Sequence, residues 1–270
     1  MIKFENVGLA SPEQMEFIIQ GMRNPMNSWE KSDSDTDPDF YSLENIEIGS
    51  ADHSLMQRLS DAGTEHRKYM RMMPVYVRIT APLYWWKEFD TYKVGTVANS
   101  CSTMHKIAEK EFSWEDFSCE HLGIFIPAEK NDGVEDYKNL WIAALEETID
   151  YLNVARTFYN RETDPELKKK YWWQMIQLLP SSYNQTRNVM LNYEVLANIY
   201  RQRKNHKLDE WREFCKWIET LPYSELITVK KKPFSVLSPM LEPRYVYAQN
   251  ECISPDVDQI SEHLKTLWLR

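Results

Sequence analysis

Alternating apolar and polar residues open the chain and predict a short strand from Ile2 to Val7. Ser11-Pro12-Glu13-Gln14 follows with the features of a helix start, a capping serine and a proline at the first helical position. Apolar residues continue from there to Met22. We therefore expect a half-buried strand that leads directly into an amphipathic helix.

A second strand is predicted at 69–80, which is rich in β-branched and aromatic residues. Pro74 interrupts this segment, so we expect a bulge or an edge position there. Thr80 is then placed to cap a helix whose first turn contains Pro82 and whose aromatic residues continue to Tyr92.

Helical spacing of apolar residues dominates the chain from about residue 135 onward. A short strand is expected at 226–229. Because the other strands come early and the helices late, the pattern predicts an α+β fold with a mainly antiparallel sheet flanked by helices. We expect one domain over 1–270, with an acidic loop insertion at 28–54. The late helices are predicted at 167–178, 183–204, 208–218 and 256–268.

Glycine is scarce, with only 7 in 270 residues, and no two of them lie within a G-x-G-x-x-G or G-x-x-x-x-G-K loop. A nucleotide would therefore have to be bound by side chains. The formal net charge of -9 disfavours bulk attraction to nucleic acid or to an anionic membrane. The first residues lack the apolar core of a signal peptide, and the four cysteines form no C-x-x-C pair. We expect a cytoplasmic protein with reduced thiols.

The predicted helix 183–204 places Asn192 and Arg203 in the middle of its apolar face. A buried arginine is costly unless it is paired. One interpretation is a structural salt bridge and hydrogen bond inside a subunit interface. The alternative is that both side chains point into a ligand cleft.

Two groups of residues have the composition of metal sites without the matching spacing. The acidic segment from Asp33 to Glu44 imitates a calcium loop, but Pro38 stands where the turn needs glycine. Cysteines and histidines also occur near one another at spacings that match no common zinc framework. A solvated loop and half-buried side chains are the better interpretations, and we predict no metal. The cysteines and histidines that have the composition of a zinc site are Cys101, His105, Cys119 and His121.

Two segments together resemble the flavin-dependent thymidylate synthase family. The first is the helix predicted at 83–93, followed by Asn99-x-x-Ser102, which matches the family's N-x-x-S core. The second is Leu179-Pro180, followed at the family's spacing by Asn192, Leu196 and Arg203. The pair Glu65-His66 is similar to a further family feature.

The resemblance implies a homotetramer whose sites lie between subunits and hold FAD, dUMP and methylenetetrahydrofolate, with NADPH as the reductant. The resemblance does not identify a catalytic side chain in this sequence. The residues it places at the cofactor are Lys93, Thr96, Asn99 and Asn192. The residues it places at the substrate are Glu88, Ser102, Arg203 and Arg212.

Several cationic positions of the family are replaced in this chain. The flavin-binding R-H-R is Thr91-Tyr92-Lys93, the nucleotide-contacting glutamine is Glu88, and the arginine two residues after the family asparagine is Glu194. Lysine lacks the planar fork of arginine, and carboxylates repel a phosphate. The sequence therefore leaves three hypotheses: a divergent thymidylate synthase, a catalytically inactive nucleotide-binding or sequestering protein on the same fold, and an oligomer assembled through aromatic surfaces.

Overall fold

The structure is a computed structural model that describes residues 1–36, 46–123 and 140–228. The strands are β1 (Lys3–Leu9), β2 (Asp35–Thr36), β3 (Ile46–Glu47), β4 (Pro74–Pro82), β5 (Val97–Ser100) and β6 (Asn184–Asn192). The helices are α1 (Pro12–Arg23), α2 (Ser50–Ala62), α3 (Tyr69–Met72), α4 (Leu83–Phe89), α5 (Thr103–Lys106), α6 (Leu140–Arg161), α7 (Pro165–Leu178), α8 (Tyr193–Arg203), α9 (Asp209–Glu219) and α10 (Glu225–Thr228).

A four-stranded sheet with the order β1-β4-β6-β5 organises the fold, and every pair in it is antiparallel. The central strands β4 and β6 pair along their whole length, from Pro74 opposite Asn192 to Pro82 opposite Asn184. Each of these two strands runs directly into a helix, β4 into α4 and β6 into α8. The predicted α+β class with an antiparallel sheet and flanking helices is confirmed.

Local signals placed several elements correctly. Ser11 caps α1, and its hydroxyl accepts a hydrogen bond from the backbone of Gln14, whose side chain in turn accepts from the backbone of Ser11. This reciprocal pair satisfies two backbone donors that the first helical turn leaves free. The predicted first strand and the helices at 167–178 and 208–218 are likewise confirmed as β1, α7 and α9.

Three predicted elements were wrong in kind or in bounds. The strand expected at 69–80 begins only at Pro74, because the preceding residues form α3, and Thr80 stays inside the strand rather than capping a helix. The helix expected at 183–204 is β6 followed by α8. The segment 226–228 belongs to helix α10, not to a strand. For β6, the strands that pair with it and decide its structure lie far away in sequence.

The main core covers one face of the sheet. Alternate residues of β4 and β6 are buried there against side chains of α1, α4, α8 and α9, including the fully buried Trp85 and Trp211. A second, smaller core joins α6 and α7 to the segment 107–117, with Leu152 and Met175 at its centre. The opposite face of the sheet carries exposed side chains, such as Tyr76 at 53% exposure.

Some predictions fall outside the described residues. They are the last helix at 256–268, part of the acidic loop at 28–54, and the far end of the predicted domain 1–270, so the single-domain prediction stays a prediction. Within the described ranges, no helix has both the length and the apolar character that crossing a membrane requires.

Candidate functional site

Glu88 and Arg203, both predicted at the substrate, are paired with each other. Arg203 Nη1 donates a 2.7 Å hydrogen bond to Glu88 Oε2, and Trp211 Nε1 donates to the same oxygen at 2.9 Å. Arg203 Nε also donates to the Tyr92 hydroxyl at 2.9 Å, and the guanidinium carbon lies 4.7 Å from the centroid of the Trp211 ring. We call Glu88, Tyr92, Arg203 and Trp211 the Glu88 network.

Within the described chain, the positive charge of Arg203 is compensated by the carboxylate of Glu88. The network joins the end of α4 to the end of α8 and to α9, whose chain positions are widely separated. The Arg203 side chain is 19% exposed and that of Glu88 is 35% exposed, so both still reach the surface. The interaction is therefore accessible to a ligand, but its charge is already balanced.

A second ion pair is buried under the start of α8. Arg67 Nη2 donates to Glu194 Oε1 at 3.0 Å, and its Nε lies 2.6 Å from Oε2, with both side chains less than a tenth exposed. Asn198 Oδ1 lies 3.5 Å from the same Nη2. Glu194 was predicted to repel a phosphate, but its charge is used to hold Arg67. Sequence reasoning missed Arg67, although it follows the quoted pair Glu65-His66 directly.

A third arginine is engaged on β6. Arg187 Nη1 donates to Asp90 Oδ1 at 2.7 Å, its Nε donates to Gln185 Oε1 at 2.9 Å, and its guanidinium lies 4.2 Å from the Trp86 ring centroid. Three arginines near the ends of α4 and α8 are thus each matched by a carboxylate. An arginine with its charge compensated is a weaker anion-binding group than a free one.

Asn192 and Arg212, predicted at the cofactor and at the substrate, both have structural partners. Asn192 caps α8, and its Oδ1 accepts from the backbone of Val195 at 3.0 Å. Arg212 Nη1 donates to the backbone carbonyls of His206 and Lys207 at 2.7 and 2.8 Å, which closes the loop before α9. The interpretation of Asn192 as part of a helical face was wrong, because it ends β6.

The remaining predicted residues surround β5. Thr96 has a buried hydroxyl with no hydrogen-bond partner among the described residues, and Lys93 is exposed without an ion pair there. Ser102 caps α5 by accepting from the backbone of His105 at 3.2 Å. Asn99 lies on β5 directly opposite Asn188 of β6.

Asn99 belongs to a cavity of about 260 Å³ on the outer face of the sheet, which we call the sheet-face cavity. Cross-strand pairing aligns a polar row, Arg78-Asn188-Asn99, beside a more apolar row, Tyr76-Met190-Val97. The described residues lining it are Asn6, Tyr76, Val77, Arg78, Val97, Asn99, Asn188, Val189 and Met190.

The surrounding strands set the positions of two polar residues in the cavity, Arg78 and Asn6. Arg78 Nε donates to Asn188 Oδ1 at 3.2 Å, and its terminal nitrogens have no partner among the described residues. Asn6 sits in the β1 bulge with a positive φ of 52°, which turns it out of the regular strand pattern. Bulges commonly redirect a side chain beside a binding site. Glu5 stands opposite Arg78 across β1 and β4 but is not among the lining residues.

No three His, Cys, Asp or Glu side chains of the described ranges come together as a metal site. Asp33, from the calcium-like segment, instead accepts from the backbone of Ala51 at 2.8 Å and of Asp52 at 3.0 Å, and so caps α2. Residues 37–44 of that segment, including Glu44, lie outside the described residues. Burial raises the pKa of the Cys215 thiol to about 12, which keeps it protonated and unreactive.

No protein-family model matches the chain, and no curated protein is detectably similar to it in sequence. Solved structures do match. Flavin-dependent thymidylate synthase ThyX from Helicobacter pylori, complexed with FAD and dUMP, is 15% identical with a TM-score of 0.53, over 84% of this chain and 97% of that chain. A second structure of ThyX from the same organism, with FAD and dUMP, gives 14% identity and a TM-score of 0.55 over 86% and 100%.

The UMP/dUMP methylase PolB from Streptomyces cacaoi, bound with 5-Br UMP, is 14% identical over 82% of this chain and 88% of that chain, with a TM-score of 0.49. The ThyX structures show that this chain has the ThyX fold across almost the whole length of those proteins. The fold expected from the sequence resemblance is thereby confirmed.

Proposed function

We propose that this chain binds a mononucleotide on the ThyX fold and does not synthesise thymidylate. The statement that the chain does not synthesise thymidylate rests on the ion pair between Glu88 and Arg203. The nucleotide-binding half rests on the fold and on the chemistry of the sheet-face cavity.

A phosphate that recruited Arg203 would have to displace Glu88 and then lie beside that carboxylate. Hydrogen bonds to charged groups contribute about 1.5–3 kcal/mol each. Two like charges about 4 Å apart near a protein surface repel by up to about 4 kcal/mol. The phosphate of dUMP would therefore lose its charged contact with Arg203 and would be repelled by Glu88. Both effects oppose the dUMP binding that methylation requires.

FAD does not fit the residues that stand at the family's flavin motif. Thr91 donates its hydroxyl to the backbone carbonyl of Glu88 at 2.7 Å. The hydroxyl of Tyr92 is occupied by Gln202 and Arg203, both at 2.9 Å. Of the three motif positions, only Lys93 supplies a positive charge, and one lysine is not enough to hold a pyrophosphate.

The sheet-face cavity suits a smaller nucleotide. Tyr76 offers an aromatic surface for a base, three asparagine side chains offer both donors and acceptors to its edge, and Arg78 has free donors for a phosphate. Pockets for drug-sized ligands span about 300–1,000 Å³. A cavity of about 260 Å³ therefore accommodates a base with its sugar rather than an entire dinucleotide.

Calorimetry of the purified chain against a panel of uridine, thymidine, cytidine, adenosine and guanosine monophosphates tests the binding half. We expect at least one to bind with one site per chain, and binding to be weakened at least tenfold in Arg78→Gln. Phe17→Ala, a change at an exposed side chain on α1, is the matched control. Failure of every nucleotide to bind would contradict this half.

Thymidylate synthesis is the second candidate, because the fold likeness spans 97% of a ThyX chain and Asn99 and Ser102 are retained. In that case Lys93, Thr96, Asn99 and Asn192 would face the flavin. Formation of dTMP from dUMP with FAD, methylenetetrahydrofolate and NADPH would establish it. We expect no dTMP above the level without protein.

A further inference from the structure

A second cavity, of about 470 Å³, lies between α1 and the segment 29–34, and we call it the α1 cavity. It is larger than the sheet-face cavity and shares none of its described lining residues. Pockets of about 300–1,000 Å³ bind small molecules, so this volume is sufficient for a ligand of its own. The described residues that line the α1 cavity are Glu16, Ile19, Gln20, Trp29, Ser32 and Ser34.

The two serine hydroxyls of the α1 cavity are acceptors toward a ligand. Ser32 Oγ and Ser34 Oγ each donate a 2.7 Å hydrogen bond to the same atom, Asp52 Oδ2. A hydroxyl has one proton, so each of these oxygens can only accept from any further partner. Ser34 Oγ also accepts from the backbone of Gly49 at 3.0 Å. The serines therefore select a ligand that donates hydrogen bonds.

Asp52 holds the serine protons because it stays ionised. It is fully buried, and its Oδ1 lies 2.6 Å from Arg23 Nε. Burial raises the pKa of Asp52, but the hydrogen bonds from Ser32 and Ser34 and the charge of Arg23 hold it below 3.8. The charge of Asp52 is thus balanced by Arg23, and the serines keep this orientation at neutral pH.

The wall that α1 contributes adds a negative charge and a further acceptor. Glu16 and Gln20 lie one helical turn apart, and Gln20 Nε2 donates to Glu16 Oε1 at 3.1 Å. This bond uses an amide proton of Gln20, whose carbonyl oxygen is an acceptor. None of the described lining residues carries a positive charge. The α1 cavity is therefore suited to a cation.

The remaining walls are aromatic and apolar. Trp29 Nε1 donates to Asn24 Oδ1 at 2.7 Å, which orients the ring and leaves its π face, not its N–H, for a ligand. Such a face attracts organic cations. Because Ile19 lies beside it, the surface suits an alkyl chain better than a hydrated metal ion. Consistent with this, no three His, Cys, Asp or Glu side chains of the described ranges gather as a metal site.

We propose that the α1 cavity binds a small primary alkylammonium ion, independently of any nucleotide. An ammonium group has three N–H donors and no acceptor, which matches a lining of oxygen acceptors. Glu16 compensates its charge, and Ser32 and Ser34 accept its hydrogen bonds. The alkyl chain lies against Trp29 and Ile19. A quaternary ammonium ion would leave the acceptors without donors, and a neutral alcohol would leave the charge of Glu16 unmatched.

Calorimetry of the full chain with three probes of similar size tests the ligand class. The probes are n-butylammonium, tetramethylammonium and 1-butanol. We expect n-butylammonium to bind with one site per chain, and the other two to bind at least about tenfold more weakly, because each lacks either the N–H donors or the charge. Absence of n-butylammonium binding into the millimolar range would overturn the proposal, and so would equal binding of 1-butanol or tetramethylammonium.

A pair of charge-neutralising variants tests the location. Glu16→Gln weakens n-butylammonium binding at least about tenfold, because a charge-assisted hydrogen bond is lost. Glu30→Gln removes the same charge next to Trp29 but outside the described lining, and it leaves the affinity within about twofold of the wild type. Circular dichroism checks that both variants are folded. An unchanged affinity in Glu16→Gln, or an equal loss in Glu30→Gln, would overturn the proposal.

Discussion

Arg203 Nη1 lies 2.7 Å from Glu88 Oε2, although the two residues are 115 positions apart in the chain. The pair stands where the family resemblance places the nucleotide. It converts two potential ligand contacts into one internal contact. The consequence for function depends on the charge of the two side chains, which substitution can change.

Replacing Glu88 with glutamine should create an anion site that the wild type lacks. The new amide preserves an acceptor for Trp211 but leaves the Arg203 charge uncompensated. We expect the affinity for dUMP to rise about tenfold or more, measured by calorimetry, because a hydrogen bond to a charged group contributes about 1.5–3 kcal/mol. Glu219→Gln removes the same charge outside the network, where Glu219 accepts from Tyr200, and serves as the control. Equal affinities in both variants would refute this role.

Replacing Arg67 with methionine should destabilise the fold. The substitution leaves Glu194 buried without its partner, and breaking a buried pair costs about 3–5 kcal/mol. Urea unfolding measures the loss of free energy. The double variant R67M/E194L removes both charges and should recover most of that loss, because well-packed apolar residues can replace a buried pair. A double variant as unstable as R67M would show that packing, not charge, explains the defect.

Asp52 should make the free energy of unfolding depend on pH in the acidic range. Burial raises the pKa of Asp52, but hydrogen bonds from Ser32 and Ser34 and the charge of Arg23 outweigh burial and hold it below the ordinary 3.8. Because the folded pKa is the lower one, the stabilisation is present above pH 3.8 and is lost as the pH falls below that value toward the folded pKa.

Unfolding of wild type and Asp52→Asn across a pH range of about 2 to 7 measures this contribution. We expect the variant to be less stable by about 3–5 kcal/mol near neutral pH, since it leaves Arg23 buried without its carboxylate. The difference between the two proteins should shrink below pH 3.8. A difference that is constant with pH would contradict the assignment.

Tyr76→Ala should weaken nucleotide binding at the sheet-face cavity. Base stacking on an aromatic side chain contributes about 1–3 kcal/mol, which corresponds to a loss of affinity of about 5- to 150-fold. Tyr76 is 53% exposed, so its removal leaves the core unchanged. Tyr76→Phe keeps the ring and should bind like the wild type. Loss of binding in the phenylalanine variant would assign the effect to the hydroxyl instead.

The sequence predicted those elements whose signals are local. Ser11 with Gln14 identified the start of α1, and the spacing of apolar residues identified α7 and α9. The helix predicted at 183–204 failed because β6 is decided by its pairing with β4 and β5, which are distant in sequence. A local signal did exist, since Val189 and Leu191 alternate as in a strand.

The partners of the candidate site residues could not be predicted from the sequence. Glu88 and Arg203 were both assigned to the substrate from the family motif, but no sequence pattern shows that they bind each other. Arg67 and Arg78 lie outside the quoted motifs, so their contacts emerge only when the strands and helices are assembled. Asn99 lines a cavity, but its assignment to the cofactor stays a prediction.

The visible absorbance spectrum of the full chain, after equilibration with excess FAD and removal of unbound flavin, tests the central claim most directly. The claim is that Thr91 and Tyr92 are engaged internally where flavin-binding groups would stand. It predicts a colourless protein without a flavin band. A yellow protein that retains one flavin per chain would contradict it.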